Sequence, residues 1–446
     1  MSQSVENPLS ATVNLATDNP LEALLAEAKQ AFYTMATLTT AQKNAALEAF
    51  ACLIEQNQDF LLAENAKDLD AADAAGLQNT LHQRLKLDAG KLTQLVQGIR
   101  DVVTLDDPAG QILSTTVLDT GLVLEKQTVP LGVIGIIFES RPDVIPQILS
   151  LILKSGNAVV FKGGKEARHS IAAFVTLVDR LNTECAFLPA CWATMLDTRE
   201  AIREILNYPQ YVDLIIPRGS NQLVQSIMAA TKIPVLGHAD GVCHLYIHSA
   251  ANLAQAVALT VDSKCQYPAA CNALETLLLD AAIAKDFLSA FLPAAQAAGM
   301  MLKGCPETCK LLPGTEEATE ADWSTEYGDR TLSIRIVPTP EAAMAHINRY
   351  GSHHTDGIVT EAADVLEQFL NTIDSACVFS NASTRFADGF RFGLGAEIGI
   401  STAKTHARGP VGLEGLVIYK YKLRGEGQIV ADYVGADARP FLHTKS

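Results

Sequence analysis

Three short apolar runs, separated by stretches with helical periodicity, restrict the fold of this chain more than any other feature of its sequence. The runs are VIGIIF at 133–138, AVVF at 158–161 and VDLIIP at 212–217. Short, mainly apolar runs of this kind are typical of strands that are buried on both faces. Between the first two runs, Asp143 could begin a helix and Gly156 could end it, which gives a crossover of strand, helix and strand. The pattern predicts a parallel sheet with helices on both faces.

A second series of alternating segments begins near Asn252 and predicts a second sheet. Its strand candidates are ETLLLD at 275–280, LSIRIV at 332–337, GIVT at 357–360 and ACVFSN at 376–381. A chain of 446 residues has room for both sheets, because single hydrophobic cores rarely grow beyond about 250–300 residues. We therefore predict an α/β protein with two consecutive α/β domains. Residues from Leu21 to about Val103 have a helical pattern, and residues 1–20 are polar and aperiodic, as in a loose arm.

Two alternating segments outside these series look like edge strands. The segment at 112–128 alternates on either side of Asp119, Thr120 and Gly121, which predicts a hairpin, and VIYKYKL at 417–423 alternates in the same way. Edge strands with free backbone groups pair with each other or across a subunit boundary. The sequence leaves both arrangements open.

Charge and cysteine content exclude several classes of protein. The chain has 34 Lys and Arg against 50 Asp and Glu, a formal net charge of -16, and no basic patch that could hold a nucleic acid. Its cysteines lack zinc-ribbon spacing, and the adjacent rings of His353 and His354 are expected to point apart, so we predict no metal site. With no signal peptide and no apolar run of about 18 residues, we expect a cytoplasmic protein that makes no membrane contact.

The standard phosphate-binding motifs are missing. Glu166 follows Gly164 and Lys165 where a P-loop needs Ser or Thr, and no Gly-x-Gly-x-x-Gly follows a predicted strand. Lys162 ends one buried strand and Arg218 ends another, at the edge where open α/β sheets bind ligands.

Gly219 and Ser220 follow Arg218 and precede a helical run at 221–230, so free amides at its start could face a ligand phosphate. A plain strand-to-helix turn fits this segment equally well.

Cys271 lies in the segment KCQYPAACNALETLLL, in a loop indicated by Pro268 and Asn272. A loop is an unusual place for a cysteine that only packs. However, free cysteines are among the most buried residues, and Cys265 lies six positions earlier. Spacing alone does not choose between the two thiols.

Several stretches together resemble one known family. They are VPLGVIGIIFESRPDV at 129–144, LIIPRGS at 214–220, YPAACNALETLLL at 267–279, and the pair NASTRFADGFRFGLGAEIGIST and HARGPVGLEGL at 381–402 and 406–416. The sequence resembles the γ-glutamyl phosphate reductase family (glutamate-5-semialdehyde dehydrogenases), a branch of the aldehyde-dehydrogenase superfamily, from about residue 21 to about residue 420. The resemblance implies an aldehyde-dehydrogenase-like fold of two consecutive α/β domains with parallel sheets plus a small β oligomerisation flap.

The resemblance also implies a division of the chain and a role for several residues. The implied parts are an N-terminal arm at 1–20, an NADPH-binding domain at 21–111 and 129–247, a catalytic domain at 248–405, and a flap with the C-terminal tail at 112–128 and 406–446. Cys271 matches the catalytic cysteine of the family. The residues that match cofactor-side positions are Lys162, Arg218, Gly219, Ser220 and, on a cofactor ribose, Glu326.

Two departures from oxidising aldehyde dehydrogenases favour reduction. Their Glu-Leu-Gly-Gly motif, which carries the water-activating base, is replaced by LGHADG at 236–241. An oxidising enzyme must hydrolyse its thioester, whereas a reductase must protect it from water. Arg141 stands near the position of their oxyanion-binding asparagine, where a guanidinium could serve a leaving phosphate or a developing oxyanion; an ion pair is the alternative.

By this resemblance, the expected activity is NADPH-dependent reduction of L-glutamyl 5-phosphate to L-glutamate 5-semialdehyde and phosphate through a cysteine thioester, the second step of proline biosynthesis. The expected partners are this small substrate, further copies of the chain in a homodimer or larger homo-oligomer, and, as an open possibility, glutamate 5-kinase. The rival hypotheses are a semialdehyde-oxidising dehydrogenase and a non-catalytic nucleotide-binding scaffold.

Overall fold

The computed structural model describes residues 19–76, 79–139, 141–196, 200–237, 240–404 and 406–445. Its helices α1 to α14 are Pro20–Met35, Thr40–Gln56, Gln58–Ala74, Asn79–Leu85, Ala89–Thr104, Val144–Ser155, Arg168–Glu184, Glu200–Ile205, Asn221–Ala230, Leu253–Cys265, Ala284–Ala297, Pro306–Leu311, Pro340–Tyr350 and Ala363–Thr372. Its strands β1 to β17 are Ile112–Asp119, Leu122–Pro130, Val133–Phe138, Ala158–Lys162, Ala193–Met195, Leu214–Arg218, Cys243–Ile247, Leu274–Asp280, Met301–Gly304, Glu316–Glu317, Thr331–Val337, Thr355–Val359, Cys377–Ser380, Gly399–Ser401, Gly409–Val411, Val417–Arg424 and Thr444–Lys445.

The first sheet contains the three apolar runs and has the strand order β5-β4-β3-β6. All pairs in it are parallel, and Ile136 of β3 is level with Phe161 of β4 and Ile216 of β6. Every residue of β3 is buried, because helices cover both faces of the sheet. The predicted parallel sheet is confirmed.

Helix α6 connects β3 to β4 and begins and ends where the sequence indicated. Gly156 ends it with φ 76°, a left-handed conformation that costs glycine little. Asp143 precedes the helix as predicted, but the prediction that its side chain caps the helix is wrong. The Asp143 carboxylate makes no capping bond and instead accepts a 3.3 Å hydrogen bond from Arg141 Nη2.

The second sheet has the strand order β10-β9-β11-β8-β7-β12-β13, and its pairs are parallel. Sequence patterns predicted β8, β11, β12 and β13 but not β9, β10 or β7, and the sequence of β7, CHLYI, contains a polar residue. That residue, His244, is fully buried, and its Nδ1 lies 2.9 Å from Asp356 Oδ1 on β12. The predicted domain boundary at 247 falls immediately after β7, and the division into domains stays a prediction.

A third, antiparallel sheet has the order β16-β2-β1-β17 and forms the predicted flap. The hairpin and the C-terminal strand pair with each other in one chain, with Tyr419 level with Thr128. The Leu416 carbonyl at the start of β16 accepts bonds from Leu131 N and Asn157 Nδ2, at 3.3 and 2.8 Å, which tie the flap to the first sheet.

The predicted N-terminal arm lies mostly outside the described residues. Of its last two residues, Asn19 caps α1 by accepting a 2.9 Å bond from Leu21 N, and Pro20 is the first residue of the helix. Within the part of the chain that the structure describes, no helix is long and apolar enough to cross a membrane.

Candidate active site

Cys271 lies in the tight loop between α10 and β8, and hydrogen bonds fix this loop on two sides. Asn272 Nδ2 donates a 2.7 Å bond to the Ala387 carbonyl, which joins the loop to a distant segment of the chain. On the other side, Cys243 Sγ donates to the Cys271 carbonyl at 3.3 Å. The position of the thiol therefore depends on segments from three different parts of the sequence.

Four charged side chains lie close enough to the Cys271 thiol to change its pKa. Burial raises the pKa of this thiol to about 12, and the carboxylates of Glu326 and Glu397 act in the same direction. The guanidinium groups of Arg218 and Arg385 oppose them, with Arg218 having the larger effect. Binding of an anionic substrate between these groups would change the balance that sets the thiolate population.

Cys265 has different surroundings. It is the last residue of α10 and lines a shallow surface groove with Ala258 and Asp262. Burial raises its pKa as well, but the charges acting on it are those of Arg330 and Lys264. Of the two cysteines that the sequence could not separate, only Cys271 lies among the predicted site residues.

Arg218 connects the first sheet with the thiol. Its backbone ends β6 next to Phe138, and its guanidinium lies against Gly399, where a Cβ would stand 3.0 Å from Arg218 Nη1. Burial lowers its pKa, and the nearby charge of Arg141 lowers it further. Arg141 itself is bound to Asp143, so both of its predicted roles, at the site and in an ion pair, are compatible with its position.

Glu326 lies between the two sheets and is held by two donors. Its Oε2 accepts the Gly241 amide at 3.0 Å and Asn221 Nδ2 at 3.2 Å. Behind it, Lys264 Nζ and Glu275 Oε2 form a fully buried pair at 2.6 Å.

Lys162 lies apart from the thiol, in a cleft of about 1040 Å³ at the carboxyl edge of the first sheet. Lys162 is 8% exposed, and its ammonium donates to the Gly163 carbonyl. The charged residues that line this cleft include Glu139, Lys162, Lys165, Glu166 and Arg168.

Ser220 is joined to this cleft through Glu139. The Ser220 amide donates a 2.8 Å bond to Glu139 Oε2, so a carboxylate already occupies one of the amides expected at the start of α9. A Cβ on Gly219 would lie 2.6 Å from the same oxygen, which explains why a glycine is needed there. The predicted site residues therefore form two groups. Arg218 and Glu326 act on the Cys271 thiol, Arg141 acts on Arg218, and Lys162 lies in the cleft.

Three residues near the site were not predicted. Glu139, Arg385 and Glu397 all fall within stretches that carried the family resemblance, but no spacing rule assigned them a role. Glu397 accepts the Gly389 amide at 2.7 Å, and burial raises its pKa. In the described residues there is no cluster of three or more side chains suited to a metal ion.

The fold and this site define the class of the protein. Residues 3–310 match the aldehyde dehydrogenase family, so the chain belongs to that family. An acetylating aldehyde dehydrogenase from Geobacillus thermoglucosidasius has the same fold, with a TM-score of 0.63 at 18% identity over 92% of this chain and 97% of that one. The aldehyde-dehydrogenase-like fold expected from the sequence is confirmed.

More similar relatives narrow the class. The γ-glutamyl phosphate reductase of Synechococcus sp. (strain JA-3-3Ab) is 52% identical over 96% of this chain and 95% of the relative. That of Nostoc punctiforme is 50% identical over 95% and 98%. The crystal structure of γ-glutamyl phosphate reductase from Thermotoga maritima has a TM-score of 0.90 at 35% identity, covering 92% of this chain and all of that one. The chain belongs to the γ-glutamyl phosphate reductase family and is an oxidoreductase.

Proposed function

We propose that this protein reduces L-glutamyl 5-phosphate to L-glutamate 5-semialdehyde and phosphate, with NADPH as reductant, in the second step of proline biosynthesis. The main support for the proposal is the Cys271 thiol, whose pKa is influenced by two carboxylates and two guanidinium groups, those of Glu326, Glu397, Arg218 and Arg385. The chain that carries this thiol is about half identical to named γ-glutamyl phosphate reductases. Fold alone would not justify an activity, but a nucleophile surrounded by charges of both signs supports one.

The cleft at the carboxyl edge of the first sheet fits a dinucleotide. Its volume of about 1040 Å³ is at the upper end of the usual range for ligand pockets, and Lys162, Lys165 and Arg168 provide positive charge for phosphates. Lys162 would hold the 2′-phosphate, and Gly219 and Ser220 would adjoin the pyrophosphate. Glu326 would hold a ribose hydroxyl. Bound NADPH would supply a hydride to the acyl carbon of the enzyme thioester.

The first chemical step is attack of the Cys271 sulfur on the acyl carbon of the substrate. A C–S bond forms, the bond from the acyl carbon to the phosphate oxygen breaks, and the thiol proton leaves with the phosphate. Arg218 lies at the thiol, and Arg141 lies close to Arg218. Their guanidinium groups would stabilise the charge that develops on the leaving phosphate or on the acyl oxygen.

The thioester must then survive until it is reduced. Glu326 is the carboxylate with the strongest effect on the thiol, but its Oε2 already accepts bonds from Gly241 and Asn221. With its other oxygen holding the ribose hydroxyl, Glu326 would have no oxygen left to activate water. Reduction of the acyl carbon releases the aldehyde and returns Cys271 as a thiolate, which then takes up a proton.

Replacing Cys271 by alanine tests this proposal. We expect C271A to lose reductase turnover by several orders of magnitude while NADPH binding stays nearly unchanged, because the thiol forms the covalent intermediate and lies apart from the Lys162 cleft. C265A is the matched control and should keep most of the activity. Appreciable turnover by C271A would contradict the assignment.

The reverse reaction separates the rival functions. A phosphate-dependent reductase should oxidise glutamate 5-semialdehyde only when phosphate or arsenate is present, whereas an oxidising dehydrogenase would turn over with water alone. A scaffold would do neither. We further propose that the protein works in the cytoplasm as a homo-oligomer. The free state of its nine cysteines supports a reducing compartment. A contact with glutamate 5-kinase stays a hypothesis that binding of the two purified proteins would test.

A further inference from the structure

Arg385 occupies an unusual position in the site. It is 8% exposed and belongs to a short turn of 3-10 helix at Thr384–Phe386. Its Nε donates a 2.9 Å bond to Gln266 Oε1, and its guanidinium lies 5.8 Å from the ring centroid of Tyr267. Neither terminal nitrogen donates a hydrogen bond to any residue that the structure describes. A nearly buried guanidinium with both terminal nitrogens unused is prepared to bind an anion.

The segment that carries Arg385 is fixed to the catalytic loop rather than free to move. The Ala387 carbonyl accepts the 2.7 Å bond from Asn272, the residue after the nucleophile. Ser263 Oγ on α10 lies 3.2 Å from Ser383 Oγ and also accepts the Thr384 amide at 3.2 Å. Arg385 therefore keeps a fixed distance from Cys271.

We propose that Arg385 binds the α-carboxylate of the glutamyl substrate and so determines its specificity. This inference rests on the proposed function. The substrate has two anionic ends. Its phosphate is attached directly to the acyl carbon that Cys271 attacks, and three carbons separate that acyl carbon from the α-carboxylate. A site for this molecule needs one cation close to the sulfur and a second cation at a distance from it.

The two guanidinium groups at the thiol match these ends. Arg218 ends a strand of the first sheet, on the side of the cofactor cleft, and has the larger effect on Cys271. Because the acyl carbon must face the cofactor to receive a hydride, the rest of the substrate must point away from that sheet. Arg385 lies on the catalytic side, in a turn bonded to Ser263 of α10, and Asp262 and Asp388 are close enough to act on it. Their carboxylates provide negative charge for the α-ammonium group.

The test compares two aldehydes in the reverse, phosphate-dependent reaction. Glutarate semialdehyde carries a carboxylate at the position of the α-carboxylate, and butanal lacks it. For R385Q we expect kcat/KM for glutamate 5-semialdehyde and glutarate semialdehyde to fall about 10- to 100-fold more than kcat/KM for butanal, the loss expected for a charge-assisted bidentate contact. The effect of the lost guanidinium on the Cys271 thiol is common to all three aldehydes. R385K should recover part of the loss. R349Q, at an exposed arginine paired with Glu320, is the matched control.

The comparison is internal to each preparation, so a loss of folded protein lowers the rates with all aldehydes equally. Equal losses of kcat/KM for glutamate 5-semialdehyde and butanal would overturn the inference. A rise in KM for phosphate alone would overturn it too, because Arg385 would then bind the leaving group. If wild-type protein does not oxidise glutamate 5-semialdehyde with phosphate at all, the proposed function fails instead.

A second measurement does not depend on turnover. L-Glutamate should slow alkylation of Cys271 by iodoacetamide in the wild-type protein and in R349Q, and this protection should require at least tenfold more glutamate in R385Q. Equal protection in R385Q and wild type would contradict a role for Arg385 in binding the carboxylate.

Discussion

Gly241 and Cys271 lie backbone against backbone at the centre of the site. A Cβ built on Gly241 would stand 2.0 Å from the Cys271 carbonyl oxygen and 2.6 Å from its Cα. The amide of the same glycine donates its 3.0 Å bond to Glu326. One residue without a side chain thus sets both the depth of the nucleophile loop and the position of a proposed cofactor ligand.

Replacing Gly241 by alanine should therefore displace the nucleophile. Because the added methyl group meets backbone rather than a flexible side chain, the loop has to shift, and a misplacement of about 1 Å can cost roughly 100-fold in rate. We expect G241A to lose at least that factor in kcat while its thermal unfolding midpoint falls by only a few degrees. As a control, G98A changes a helical glycine of α5 with no atom within 4 Å of the new Cβ and should leave kcat unchanged.

The charges around Cys271 predict how fast its thiol reacts at different pH values. Burial raises the pKa of this thiol to about 12, so most of it is protonated near neutral pH, and its alkylation rate should keep rising up to at least pH 9. Glu326 raises the pKa, so E326Q should lower it and speed alkylation at pH 8 by several-fold. Arg218 lowers the pKa, so R218Q should slow alkylation. Mass spectrometry of the labelled peptides measures each rate, with Cys52 on α2 as the internal reference.

Faster alkylation of Cys271 in E326Q and slower alkylation in R218Q would support the proposed effects of these two charges on the thiol. A rate for Cys271 that levels off below pH 8, or that responds to neither substitution, would contradict it. Measurement on the unliganded protein matters, because a bound substrate anion would alter the same balance of charge.

Lys162 should determine the preference for NADPH over NADH. Its ammonium is nearly buried in the cleft, where it can neutralise a ribose 2′-phosphate. We expect K162A to weaken NADPH binding about tenfold more than NADH binding, which corresponds to ~1.4 kcal/mol and is typical of one charge-assisted hydrogen bond. K285A, at an exposed lysine of α11, is the control. Equal losses for both cofactors would mean that Lys162 acts through its bond to the Gly163 carbonyl rather than on the phosphate.

The sequence predicted the first sheet well because local patterns determine it. The run at 133–138 corresponds to β3 residue for residue, and α6 ends at Gly156 as the left-handed conformation of glycine requires. Strand β7 was missed for a physical reason. His244 breaks the apolar pattern. Its burial in the core is tolerated because its Nδ1 makes a hydrogen bond with the carboxylate of Asp356, which lies far along the chain.

The candidate site was predictable only where a motif matched a known family. Cys271 could not be separated from Cys265 until the charges around each thiol were known. Arg385 and Glu397 come close to Cys271 only through the folded chain, since Asn272 bonds to Ala387 across more than a hundred residues. Local periodicity carries no information about such contacts. In the same way, the alternating strand at 417–423 did not reveal that its partner is β2 of its own chain.

Because β16 pairs with β2 of its own chain, the alternating strands alone do not predict an oligomer. The backbone groups of β16 and β2 pair with each other, so unpaired groups are left at the outer edge of β16 and on the part of β1 that the two-residue strand β17 does not cover. The stronger indication of an oligomer is the exposure of large apolar side chains on the flap. The large apolar side chains of β1 and β16 that are at least two-fifths exposed are Ile112, Leu113, Ile418, Tyr419, Tyr421 and Leu423. Because successive side chains of a strand point to opposite faces, Tyr419, Tyr421 and Leu423 share one face of β16. An exposed apolar face of this kind is typical of an interface.

We therefore expect at least a homodimer, with the flap in the contact. Pairing about a twofold axis would cover the free edge of β16 and the apolar side chains together, and it would close the assembly. Light scattering at micromolar concentration should give a multiple of 47.7 kDa. The double variant Y421E/L423E should shift the mass toward the monomer, because it puts four like charges into a twofold contact, whereas K420E on the opposite face of the strand should not. A wild-type mass of 47.7 kDa alone would refute the dimer, and removal of residues 417–423 should then leave the association state unchanged.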